Sequence, residues 1–213
     1  MQTTSFRKYQ PAALRAWHWL NALTMLGILG TVLLRKTFLS WRTNAAYIET
    51  QLQEAGTTVT PELAKAIAVG LRDRMWEWHY IFGFTLAGLL VVRLLTAIFV
   101  PKARSGPLVR AIRAVTTAPA GEKGHAAHYA AVRVGYAVFY ASVLFMITTG
   151  FLMYFKAPLA LSKDLVGSIK EVHELMMWFF VIFSGGHVLG VLVAEHRGEG
   201  GIVSDMIHGG RKD

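Results

Sequence analysis

Cysteine is absent from all 213 residues. That excludes structural disulfides, iron–sulfur clusters held by thiolates, and covalent c-type haem, which needs a Cys-x-x-Cys-His attachment site. Any bound iron must be held through histidine or methionine. The opening Met1-Gln2-Thr3-Thr4-Ser5 lacks the apolar stretch and small-residue cleavage site of a secretory signal, so the first apolar segment is expected to stay attached. No basic stretch interleaved with base-stacking aromatics lies outside the apolar runs. The net charge of +9 therefore reads as orientation and lipid-headgroup charge, with no nucleic-acid partner implied. Carboxylates are missing from the middle of the apolar runs, which deprives an ion or metal pathway of its usual acidic relay.

Apolar sequence is what the chain has in abundance: 54% of residues are hydrophobic and the mean hydropathy is +0.40. Four stretches are long enough to cross a hydrocarbon core about 30 Å thick. They cover about residues 11–34, 78–100, 128–155 and 170–194. The expected fold is all-α: a transmembrane four-helix bundle, up-down-up-down, forming one domain over residues 1–213. Four spans put both termini on one side. That side carries Arg7, Lys8, Arg15, Lys102, Arg104, Arg110, Arg113, Lys123, Arg197, Arg211 and Lys212, eleven bases against nine on the other. The connection from Pro101 to Lys123 is the sharper signal, with five bases against the single acid Glu122. The termini are accordingly placed on the cytoplasmic side.

The first connection, residues 35–77, is long. Asn44 is suited to cap a short helix over residues 45–55 that stops at Gly56, and Thr60-Pro61 is a cap-and-first-position pair for a second helix over residues 62–74. This external helical hairpin reads equally as a lid or docking surface and as a plain solvated connector. Ser168-Ile169-Lys170-Glu171 resembles a capping box opening the fourth helix.

Histidine carries the chemistry. His173 and His187 lie fourteen residues apart on the fourth span. At about 100° per residue they fall roughly 40° short of four whole turns, so both face one way, about 21 Å apart along the axis. That sets one near each side of the membrane. Chain direction places His18 near the inner face of the first span and His79 near the outer face of the second. Pairing by depth joins His18 with His187, and His79 with His173. A helix bundle holds a planar cofactor between two such residues. Zinc or copper would need three or four ligands at one point, and each depth offers two. Haem fits: two axial nitrogens, apolar walls, and Gly83, Gly185 and Gly186 near the ligands for close approach of the ring. Six-coordinate iron held by two histidines suits electron transfer better than oxygen chemistry. Arg93 follows His79 by the same fourteen residues, where it reads either as a partner for haem propionates or as an arginine snorkelling to the interface.

Plainer readings exist for each residue. His18 and His79 are flanked by tryptophans and could belong to the interfacial aromatic belt. His125 and His128, at the start of the third span, are interface residues by default, with a quinone or proton-relay role as the alternative. His196 and His208 are expected in solvent. Met176 and Met177 are better packing residues than ligands. Tyr136, Phe139, Tyr140, Phe145 and Phe151 read as core and lipid contacts.

The motifs Ala16-Trp17-His18-Trp19-Leu20-Asn21, Trp76-Glu77-Trp78-His79, Val172-His173-Glu174 and Gly186-His187, with the ending Glu195-His196-Arg197-Gly198-Glu199 and Gly201-Ile202-Val203-Ser204-Asp205-Met206, resemble the prokaryotic cytochrome b561 family. The resemblance extends from about Ala13 to Gly210. It implies four helices, two b haems, and iron ligation by His18, His79, His173 and His187 in the pairs His18/His187 and His79/His173. It also implies a bacterial inner membrane, and electron transfer between membrane quinone (ubiquinone or menaquinone) and an oxidant or a redox protein on the outer face. A self-contained superoxide:quinone oxidoreductase is the alternative within the resemblance. A histidine-lined metal transporter or channel without haem is the alternative outside it.

Overall fold

A computed structural model describes residues 11–99, 108–196 and 202–209. Every regular element in it is helical. We label them α1 (Ala12–Lys36), α2 (Trp41–Glu54), α3 (Pro61–Phe99), α4 (Leu108–Thr117), α5 (Lys123–Tyr154), α6 (Lys163–His196) and α7 (Ile202–His208). Four of these are long and apolar enough to cross a membrane: α1, α3, α5 and α6. Between 11% and 22% of each span's most apolar stretch is buried inside the protein. The remaining leucine, valine and phenylalanine surface needs an apolar solvent, which lipid supplies. The protein is a multi-pass membrane protein.

Helix limits differ from the sequence expectation where residues with capping chemistry stand inside longer helices. The second arm of the hairpin and the second span are one 39-residue helix, α3. Met75, Trp76 and Glu77 include no glycine or proline, so nothing halts the helix between them. The fourth span opens at Lys163, with the Leu165 N–H donating to Ser162 Oγ at 3.3 Å. Ser168 lies inside that helix, its hydroxyl bonded back to the Asp164 carbonyl at 3.2 Å. The expected capping box is thus interior sequence. Likewise α2 begins at Trp41, and Asn44 reaches back to the Phe38 carbonyl at 3.1 Å. The basic connection after the second span contains α4, in which Ala111 is fully buried and which packs on α5. Lys102 and Arg104, like Arg7, Lys8, Arg197, Arg211 and Lys212, lie outside the described residues.

The chain divides into two compact units, residues 1–86 with 179–213, and residues 87–178. In the first, the helical connection between the first two spans has its own small core. Ala45, Ala64 and Ala68 are buried, and Trp41, Ile48 and Val59 pack against them. The two expected punctuation signals hold. The Leu63 N–H donates to Thr60 Oγ1 at 3.3 Å, capping α3. Gly56, at φ +74°, ends α2: its N–H bonds the Gln53 carbonyl, and the Thr57 N–H bonds the Leu52 carbonyl at 2.9 Å. This is a Schellman ending, which needs a left-handed residue. Gly56→Ala is expected to cost about 1–2 kcal/mol locally. Amide exchange in the last turn of α2 should speed up accordingly, and unchanged exchange would contradict the assignment.

The same unit ties its helix ends together. The Arg35 guanidinium lies 4.0 Å from the Trp76 ring centre and pairs with Asp73 at 3.0 Å. At the other end α7 is held by three bonds: Arg15 donates to the Ile207 carbonyl, Trp19 Nε1 donates to the Met206 carbonyl at 3.1 Å, and the Val203 N–H donates to the Glu195 carboxylate at 3.1 Å. The tail is therefore an anchored helix, although His196 and His208 are exposed as expected. In the second unit, Arg93 Nε donates to the Tyr140 hydroxyl at 3.3 Å, and Ser142, Val143 and Thr149 are buried along α5.

Candidate functional site

Two of the four candidate histidines meet in the first unit. His18 comes from the second turn of α1, and His187 from the last third of α6. Their ring centroids are 6.4 Å apart, with 60° between the planes. His18 is half-buried, with Trp19 edge-on at 5.4 Å. His187 is exposed, and Phe183, one turn earlier, lies parallel to it at 6.3 Å. An imidazole presented to hydrocarbon is costly, so a polar or metal partner is expected there.

The spacing admits a specific test. Two imidazoles on opposite sides of one metal have metal–nitrogen bonds of about 2.0–2.1 Å, and with about 1.1 Å more from each nitrogen to its ring centre the centroids would lie about 6.3 Å apart. The observed 6.4 Å matches this value. Both ring planes contain the ligation axis in such an arrangement, so the angle between them is free and 60° is compatible.

The other two histidines each meet a threonine. His79, on α3 in the first unit, has its Nδ1 2.9 Å from Thr31 Oγ1 of α1. Trp76 lies edge-on to it at 5.4 Å. His173, on α6 in the second unit, has its Nδ1 2.8 Å from Thr149 Oγ1 of α5. Both rings are half-buried. Among the described residues no group of three or more His, Cys, Asp or Glu side chains converges as a cluster for a metal ion.

A Cβ added at Gly83, Gly185 or Gly186 would meet nothing within 4 Å, so protein packing does not demand glycine at those positions. It does at Gly27, where a Cβ would meet the Phe82 ring at 2.8 Å. Gly150 sits against His173, a Cβ there lying 3.6 Å from the imidazole Cε1. Thr31, Thr149, Gly27 and Gly150 are the site residues that sequence reading passes over. Arg93 meets Tyr140, as above. His128 is exposed at the start of α5, and the side chain of His125 lies outside the described residues.

The profile of the prokaryotic cytochrome b561 family matches residues 9–209, nearly the whole chain. No curated protein and no solved structure matches it.

Proposed function

The chain belongs to the prokaryotic cytochrome b561 family, whose members carry b-type haem and move electrons across a membrane, and from that premise we propose that it binds two b haems through His18/His187 and His79/His173. The observation that supports this most directly is the 6.4 Å separation of His18 and His187, the spacing that bis-imidazole ligation requires. For the second pair the support is the depth of His79 and His173 in the sequence, together with the matching threonine contact on each.

Bound haem supplies one-electron exchange between ferric and ferrous iron. The protein's own residues do the rest. His18 and His187 would hold one haem through their imidazole nitrogens, and His79 and His173 would hold the other. Phe183 lies along the His187 ring and limits its rotation. Quinone is the proposed exchange partner within the membrane, with a redox protein or oxidant on the outer face. The proposed location is the bacterial inner membrane with cytoplasmic termini, in keeping with the basic residues after the second span.

The purified chain tests this reading. A reduced-minus-oxidised spectrum should show low-spin b haem, at about two haems per chain by haem extraction. Addition of quinol should reduce it. A colourless chain would refute haem binding, and a haem-loaded chain indifferent to quinol would refute the quinone assignment alone.

A further inference from the structure

The threonine contacts at His79 and His173 contain more information than proximity. A threonine hydroxyl has one proton to donate. Thr31 Oγ1 donates it to the Ile28 carbonyl of its own helix, at 2.6 Å. Thr149 Oγ1 donates to the Phe145 carbonyl at 2.8 Å, with the Met146 carbonyl at 3.1 Å sharing the same proton. With the proton on the carbonyl, each hydroxyl accepts from the imidazole. In that arrangement His79 and His173 carry their protons on Nδ1, which puts the lone pair of each ring on Nε2. We propose that Thr31 and Thr149 are positioning residues that hold His79 and His173 in the Nδ1–H tautomer, with Nε2 as the iron ligand. This inference rests on the haem-binding reading above.

Three features separate the arrangement from ordinary helix chemistry. Threonines inside helices routinely bond back to a carbonyl of the preceding turn. Thr85 and Thr148 do so, with the Ile81 and Leu144 carbonyls, and both are exposed. Thr24 is buried and bonds the Leu20 carbonyl. Only Thr31 and Thr149, among the described residues, add a contact to an imidazole. Both are nearly inaccessible, at 5% and 7% exposure, so water does not compete for the bond. In both cases the threonine comes from a different helix than the histidine, which fixes the ring against tertiary structure and not merely against its own turn. The device occurs independently in each unit, on the two residues that sequence depth pairs. No hydroxyl contact of this kind is made to His18 or His187 among the described residues.

A metal-bound histidine whose second nitrogen donates a hydrogen bond is fixed in orientation and made more basic. Greater basicity favours the ferric state. The haem held by His79 and His173 should therefore lose some of that bias when either hydroxyl is removed.

The test uses Thr31→Val and Thr149→Val, which keep the shape and delete the acceptor, alongside Thr31→Ser and Thr149→Ser, which retain a hydroxyl. Thr85→Val and Thr148→Val serve as controls. Redox titration and low-temperature EPR are read on the full-length, haem-loaded protein. Each valine variant at position 31 or 149 should shift the midpoint potential of one haem upward, change that haem's g values, and weaken its retention on dilution by about tenfold or more. The serine variants and the controls should keep wild-type values. Unchanged potentials and g values in both valine variants would overturn the inference, as would serine variants that behave like valine. If the valine variants fail to assemble, the serine comparison decides alone. Retention of both haems by His79→Ala and His173→Ala would instead overturn the ligand reading, leaving the two failures distinguishable.

Discussion

Replacing His187 by alanine is expected to lower the haem content from about two to about one per chain, with the remaining haem still low-spin. His187 is one of two imidazoles at the spacing of axial ligation, and it is the exposed one of the pair. His18 alone offers a single bond and a fifth coordination position. Its ring has Trp19 edge-on at 5.4 Å. The retained haem should keep the spectrum assigned to His79 and His173. Alanine at His128 or His196, both exposed, should leave haem content unchanged. Extraction and quantitation of haem from each purified variant reads the result. Two low-spin haems in the His187→Ala protein would refute the pairing.

Gly27→Ala is the second change with a large expected effect. The added methyl would lie 2.8–2.9 Å from three atoms of the Phe82 ring, too close for any real contact. The methyl would meet the far end of the Phe82 ring, so that ring must shift to admit it. Overpacking of this kind costs about 1–3 kcal/mol. Gly27 lies one turn before Thr31 on α1, and Phe82 lies three residues after His79 on α3, so a separation forced here should also strain the Thr31–His79 contact. Thermal unfolding in detergent should show a lower midpoint and earlier haem loss. Phe82→Leu on the same background should recover part of the stability, since a smaller side chain leaves room for the methyl. A Gly27→Ala protein as stable as the parent would show that α1 and α3 are not in this close contact.

The spans were legible because length and hydropathy are local properties. About thirty ångströms of hydrocarbon demand a long apolar helix whatever its neighbours do, and four such stretches were visible before any coordinates. Helix limits were less so. Ser168 and Asn44 have the right chemistry for caps, yet capping requires that the helix start there, and nothing in Lys163 to Gly167 or in Trp41 to Thr43 prevents an earlier start. Gly56 and Thr60-Pro61 were read correctly because their constraint is intrinsic to the backbone: a positive φ and a missing amide hydrogen do not depend on context. The α7 helix went unread because its seven residues gain stability from Arg15, Trp19 and Glu195, all remote in sequence or on another element.

Sequence alone determined that this is an all-helical membrane protein, because length and hydropathy fix the spans whatever packs beside them. Helix rise and chain direction put forward His18, His79, His173 and His187, out of eight histidines, as the proposed haem ligands. Only tertiary structure decided that Thr31 and Thr149, and not Thr24, Thr85 or Thr148, reach an imidazole. Along the chain these threonines look alike, since each bonds a carbonyl of its own helix. What distinguishes two of them is the side chain facing them from a neighbouring helix, and that is a property of packing.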